Sequence, residues 1–260
     1  MPIGAIIIGD EIMRGKRQDK HMAQLIAILR SRGLTLAWCQ YLGDSPELIT
    51  STLKRTLGAE DIVFSFGGIG ATPDDHTRAC AAAAAGVALE LHPDAEAEIR
   101  GRFGAEITPN RLKMGEFPRG SDIIPNGYNR IPGFSLREHH FVPGFPIMAW
   151  PMVEWVLDQR YKALFHLQPE AEASIVVYES AESTLTPLML AVEAKYRGLK
   201  VFSLPSVGEG GQRRHIELGV RGAPQEVPPA LEELKRGVTE TGGNWEAHGI
   251  PAAASAAAGS

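Results

Sequence analysis

Apolar runs and helical repeats alternate along the first 90 or so residues. Ile3 to Ile8 is a continuous, largely β-branched run, the pattern of a strand buried on both faces. Met22, Leu25, Ile26 and Leu29 then recur at helical spacing, and Gly33 ends that helix. A second strand is expected over 34–42, and a helix marked by Ile49, Leu53 and Leu57. A third strand is expected over 61–66, followed by a small-residue helix through 79–85 that stops at Gly86. Strands alternating with helices predict an α/β protein with parallel pairing and right-handed crossovers. Residues 94–146 are less regular. A helix through Ile99 and Phe103 leads to extended pieces over 122–124 and 134–142, with Asn126-Gly127 as a hairpin-type turn signal between them. A helix through Val153, Trp155 and Val156 follows, and Pro151 suits its first turn better than its interior.

A break near 166–172 precedes a different pattern. Strand 174–179, helix 184–197, strands 199–204 and 213–220 and helix 228–240 make a βαββα unit. The expected organisation is a first domain over 1–167, a small α+β domain over 168–245, and a low-complexity tail over 246–260. That tail, IPAAASAAAGS, is expected to be disordered. A length of 260 residues accommodates this, at about 100–200 residues per domain.

Composition narrows the class. Apolar residues at 44% and charged residues at 22% exclude a wholly disordered or fibrous chain. A net charge of −5 leaves no general basic surface, so nucleic acid is not an expected partner. The two cysteines, Cys39 and Cys80, form no CxxC pair and read as inert core residues. The opening apolar run is far too short for a signal or a membrane span, and a soluble, cytoplasmic protein is expected.

The candidate chemistry lies at three strand ends. The first ends Gly9-Asp10, the second Gly43-Asp44, and the third Gly67-Gly68-Ile69-Gly70-Ala71-Thr72-Pro73-Asp74-Asp75. If the strands are parallel, these ends share one sheet edge, where open α/β sheets bind ligands. Gly67, Gly68 and Gly70 suit a tight turn with N–H groups exposed to phosphate oxygens. Thr72 reads as an N-cap with Pro73 at the first helical position and Asp75 three residues on, so capping competes with chemistry for Asp75. Asp44 has the same ambiguity, with Glu47 as its capping-box partner. Asp74 and Asp75 would repel a bare phosphate unless a divalent, magnesium-like cation bridges them to it. The charged segment DEIMRGKRQDK would in isolation read as a solvated loop, but its departure from the same sheet edge favours a phosphate-facing role.

His21 and His76 fall near this edge, whereas His139 and His140 are strand neighbours facing opposite ways. No HxH or HExxH spacing and no nucleophile elbow occurs. The GEGG stretch at 208–211 matches the GXXG of KH RNA-binding domains but reads as a hairpin turn.

GDEIMRGKRQDKH, YLGDSPELI and FGGIGATPDDHT, followed by PNRLKM, IPGF and VPGFP, occur in a family's order. On these motifs, residues 3–160 resemble the N-terminal molybdopterin-binding (MoCF-type) domain of the competence- and damage-inducible protein A family. The βαββα segment looks like the small KH-type domain of its longer members, whose nicotinamide mononucleotide deamidase domain is not expected here. The resemblance implies a three-layer α/β domain with a mostly parallel sheet and a pocket at the glycine loop. It implies a phosphorylated small-molecule ligand, a molybdopterin or a nucleotide. For some members it implies metal-assisted hydrolysis of the pyrophosphate in ADP-ribose or a related dinucleotide.

The expected catalytic residues are Asp44 and Asp75, with Asp10, Asp74 and Asp75 at the metal. The expected ligand-binding residues are Gly67, Gly68, Gly70, Thr72, Lys16, Arg17, Asn110, Lys113 and Gly144. The chain departs from the family at Phe66, where a threonine is usual, and at Ala71, where a proline is usual. A homo-oligomer, most simply a dimer, is expected. Two other functions stay open: a non-catalytic binding module for molybdenum cofactor biosynthesis, and a regulatory dimer with a vestigial pocket.

Overall fold

The structure is a computed structural model, and it describes residues 1–167, 170–208 and 213–248. The chain divides into two compact units, Met1–His166 and a second that begins at Leu167. In chain order the first unit contains β1 (Ile3–Ile8), α1 (Asp10–Met13), α2 (His21–Arg30), β2 (Leu36–Leu42), α3 (Pro46–Leu57), β3 (Ile62–Phe66) and α4 (Thr77–Ala85). It continues with β4 (Leu89–Leu91), α5 (Pro93–Phe103), α6 (Pro109–Leu112), β5 (Glu116–Pro118), β6 (Asp122–Ile124), β7 (Gly133–Leu136), β8 (His139–Val142) and α7 (Pro146–Arg160).

The main sheet has the order β2-β1-β3-β8-β7-β6. Its first four strands are mutually parallel, and β7 and β6 run antiparallel to their neighbours. Both faces are covered, which is why β1 is apolar at nearly every position. Ala5, Ile7, Phe64 and Phe66 pack on one face with Leu25 and Leu29 of α2 and Val153 and Val156 of α7. Ile6, Ile8 and Val63 pack on the other with Ile49 and Leu53 of α3 and Cys80 and Ala81 of α4. The result is a three-layer α/β domain. Because β1, β2 and β3 are parallel, the loops after them leave the same edge.

Three local readings are corrected. Asn126-Gly127 does lie between antiparallel neighbours, β6 and β7, but it is not a two-residue turn. The connection from β6 to β7 spans 125–132, and Asn126 is buried within it, donating to the Ile131 carbonyl at 3.0 Å and accepting from Tyr128 N at 3.0 Å. The tight hairpin is between β7 and β8, where Arg137 takes a φ of 56°. Pro151 lies inside α7, not in its first turn. Its missing N–H releases the carbonyl of Ile147, whose side chain is 61% exposed, so water can take that bond.

The second unit contains β9 (Ala171–Tyr178), α8 (Glu182–Lys195), β10 (Lys200–Ser206), β11 (His215–Gly222), α9 (Val227–Glu240) and β12 (Asn244–Ala247). Its sheet has the order β10-β11-β9-β12, and every neighbouring pair is antiparallel. Here β11 is inserted between β9 and β10, the split βαβ arrangement of ferredoxin-like units. The expected βαββα pattern therefore lacks its last strand, and β12 runs into the stretch read as tail. Residues 209–212, most of the GXXG signal, and 249–260, most of the tail, lie outside the described residues. Among the described residues no helix is long and apolar enough to cross a membrane.

Candidate functional site

The parallel register of β1 and β2 sets Ile8 beside Leu42, and Gly9 N donates to Leu42 O at 3.0 Å. The two loops then exchange hydrogen bonds. Asp10 N donates to Asp44 Oδ2 at 2.9 Å, and Asp44 N donates to Asp10 Oδ1 at 3.2 Å. Asp44 is free to do this because Ser45, not Asp44, caps α3. Ser45 Oγ accepts from Leu48 N at 3.3 Å, its hydroxyl lies 2.8 Å from Glu47 Oε2, and Pro46 opens the helix. The segment after Gly9 is not a plain loop either. Asp10 begins the short α1, and Arg14 Nη2 reaches back to Asp10 Oδ2 at 2.6 Å.

These residues line an open groove of about 330 Å³ formed by Asp10, Glu11, Arg14, Lys16, Asp44 and Asp74. Burial pushes the Asp44 carboxyl up from its ordinary value. The charges of Asp10, Glu11 and Asp74 add to that push, and the Asp10 N–H opposes it. Asp74 is held below the usual range by hydrogen bonding within the turn from Thr72 to Asp75.

The glycine loop is built by close approach. Gly67 and Gly68 have φ of 97° and 70°, where side chains are strained. A Cβ on Gly67 would lie 2.4 Å from Ile8 O, and one on Gly68 2.2 Å from Thr77 Oγ1. Thr77 Oγ1 donates to Gly67 O at 3.1 Å and Thr77 N to Gly68 O at 3.0 Å. Those bonds fix the start of α4 at Thr77. Thr72 is therefore not its cap, and Asp75 is not its third residue. Asp75 Oδ2 accepts from Thr72 N and Oγ1 at 2.8 and 2.5 Å, closing a turn that precedes the helix. Gly67 N donates to Val142 O at 3.0 Å, whereas Gly68 and Gly70 amides have no acceptor among the described residues.

The structure thus brings together Asp10, Lys16, Asp44 and Asp74 of the expected site residues. Asp75 is turned onto Thr72. Arg17, Asn110 and Lys113 are not among the groove-lining residues. Arg17 N donates to Glu11 O at 3.0 Å, and Asn110 and Lys113 stand on α6 and in the turn after it. Gly144 lies against Gly67, and its carbonyl takes the proton on His21 Nε2 at 3.1 Å. That histidine is buried and stacks on Phe66 with 4.5 Å between ring centroids. Phe66 itself is sealed in the core.

Glu11 and Arg14 join the groove although neither was among the expected site residues; the signal was their place in DEIMR, which winds into α1. Asp19 was not among the expected site residues. It accepts from His21 N, Met22 N and Tyr41 OH at 2.8, 3.1 and 2.9 Å, and it stands just before the helical repeat, where capping residues belong.

For a divalent cation, the donor set is only half built. Four carboxylates line the groove, yet among the described residues no three His, Cys, Asp or Glu side chains converge as a ready ligand set. One oxygen each of Asp10 and Asp44 is engaged with a peptide N–H. The arrangement fits a magnesium-like ion shared between one or two carboxylates and ligand phosphates, not an all-protein cage.

Residues 4–166 match the family model described as "Probable molybdopterin binding domain". A CinA-like protein of Anaeromyxobacter sp. (strain Fw109-5) is 35% identical over 61% of this chain and 41% of its own length. The chain thus spans about two-fifths of that relative. A protein of Aeropyrum pernix is 29% identical over 92% of this chain and 94% of its own length. The crystal structure of the protein CinA, of unknown function, from Thermoplasma acidophilum gives a TM-score of 0.56 at 26% identity. It covers 61% of this chain and 98% of that one.

Proposed function

The chain belongs to the family of probable molybdopterin-binding domains, and we propose that its first unit binds a nucleoside pyrophosphate or phosphorylated pterin in the groove and hydrolyses the pyrophosphate. The observation that carries this reading is the Asp10–Asp44 exchange. It holds two carboxylates in fixed positions beside a glycine loop with unengaged amides. The amides of Gly68 and Gly70 would hold phosphate oxygens. Lys16 and Arg14 would offset phosphate charge. Asp44, made more basic by burial, would take the proton of a water attacking phosphorus as the bridging P–O bond breaks. Asp10 and Asp74 would hold a divalent cation, which when bound supplies charge neutralisation on the phosphates.

Incubating the protein with ADP-ribose and magnesium and measuring AMP tests the proposal. Release of AMP that stops on chelation is expected.

A second reading, a non-catalytic binding module, is favoured by Phe66 and Asp75. Phe66 buries an aromatic ring where the family usually has a hydroxyl. The Asp75 carboxylate is occupied by Thr72. Binding of the same ligands with no AMP release under any divalent ion would establish that reading in place of the first.

A further inference from the structure

Arg78 stands in the first turn of α4 and is only 7% exposed. Its Nη2 donates to Gly70 O at 2.5 Å. Its Nε and Nη1 are enclosed and have no hydrogen-bond partner among the described residues. No carboxylate among the described residues is within ion-pair distance of it; Glu116 and Asp75 act on it from farther off, and Asp75 Oδ2 sits against Gly70. An arginine remains charged in such surroundings. An enclosed guanidinium with two idle donors and no counter-ion in contact weighs against folding unless an anion compensates it.

Two effects of this side chain reach the glycine loop. A trans peptide sets its C=O and the following N–H on opposite sides. With Gly70 O drawn to Arg78, the Ala71 N–H is turned away from the guanidinium. Like the amides of Gly68 and Gly70, it has no acceptor among the described residues. The second effect is charge. The neighbouring groove carries four carboxylates against two cations, Arg14 and Lys16, which taken alone would repel a phosphate. A cation sealed beneath the loop is shielded less by water than those on the surface and acts more strongly over the same distance.

We infer that Arg78 is the positioning residue of a phosphate receptor, orienting the Gly70–Ala71 peptide and supplying from beneath the positive charge that lets the loop hold a pyrophosphate. This rests on the reading of the loop as the ligand's phosphate site. Arg78 does not touch the ligand. It acts through the peptide it holds and through its field.

Titration calorimetry of the full chain with inorganic pyrophosphate, without metal, tests the inference on wild type, Arg78→Met, Arg78→Gln and Arg78→Lys. Arg78→Met removes charge and donors, and pyrophosphate binding should weaken by about tenfold or more. Arg78→Gln keeps a donor for Gly70 O without the charge and should also weaken binding. It decides the matter if the methionine variant does not fold. Arg78→Lys offers a single shorter donor whose charge burial disfavours, so it should bind between wild type and methionine. Uncharged, folded variants that bind as wild type does would overturn the role of Arg78. A wild type that takes up no pyrophosphate would instead overturn the phosphate site itself, and the role of Arg78 with it.

Discussion

The two edges of the main sheet treat polar side chains in opposite ways. Where β1, β2 and β3 end, Asp10, Asp44 and Asp74 stay in contact with solvent, and the first two bond to each other's peptides. Where β3 and β8 begin, His139 and His140 are buried. Alternation along β8 sends His139 to Thr56 of α3, at 2.9 Å, and His140 to Tyr161, at 2.6 Å, beyond α7. Tyr161 donates to Glu138, so it accepts from His140 Nε2, and His140 Nδ1 accepts from Ser135 at 2.8 Å. The larger cleft, about 470 Å³ and lined by Met1, Leu57, Ala59, Glu60, Arg137, Glu138 and His139, is at this second edge. Size does not make it the better site, because its histidine is enclosed and bonded through Nε2 to Thr56, with only Nδ1 left without a partner among the described residues. Polar groups sealed within hold the fold. Polar groups left with unused capacity at an open edge are the ones available to a ligand.

Acid should act first on the closed edge. Burial lowers His139 to about 4 and His140 to about 3, against an ordinary 6.5. Above pH 6.5 neither state is charged. As pH falls below it, the unfolded chain gains protons that the folded chain refuses, so stability drops until the folded histidines titrate. By pH 4 the loss should be on the order of 3 kcal/mol per histidine. Asp44, with its raised value, acts in the opposite sense in that range. Urea unfolding followed by circular dichroism from pH 7.5 to 4.5 checks this, and a flat midpoint would show that the two histidines are not neutral in the fold.

His140→Ala should cost about 2–4 kcal/mol, since it opens a cavity and strips Tyr161 and Ser135 of a partner. It should also flatten that acid dependence. Pyrophosphate affinity should be unaffected, and a parallel loss of affinity would mean that the two edges are not independent.

At the open edge the pattern inverts. Asp44→Asn keeps an oxygen for Asp10 N, so melting should change by no more than about 1 kcal/mol, while AMP release falls by roughly a hundredfold or more. Asp75→Asn should leave turnover within about fivefold, because its carboxylate already serves Thr72. Equal losses in both variants would return Asp75 to the chemistry.

The strands were legible because burial on both faces writes itself as continuous apolar runs, as in β1. The meeting of three loops at one edge followed from their parallel pairing. What each loop does there was not legible. Pro46 marks the first residue of α3 and so makes Ser45, not the expected Asp44, its cap, but the same rule applied to Thr72-Pro73 fails. The start of α4 is decided instead by Thr77 bonding to Gly67 and Gly68 carbonyls, a contact made across the folded loop. The pairing of Asp10 with Asp44 joins residues 34 apart and leaves no periodic trace. Phe66 could be seen as a departure, but its stacking on His21 could not.

The exchange between Asp10 and Asp44 also sets where this domain can grow. Each loop terminates on the peptide of the other, so neither tolerates an added residue without unfastening its neighbour. Lengthening one would need a matched change in its partner. The connection over 125–132 is closed by its own Asn126 and has no such tie to this edge. Inserted sequence should therefore be accepted there and refused after β1 and β2.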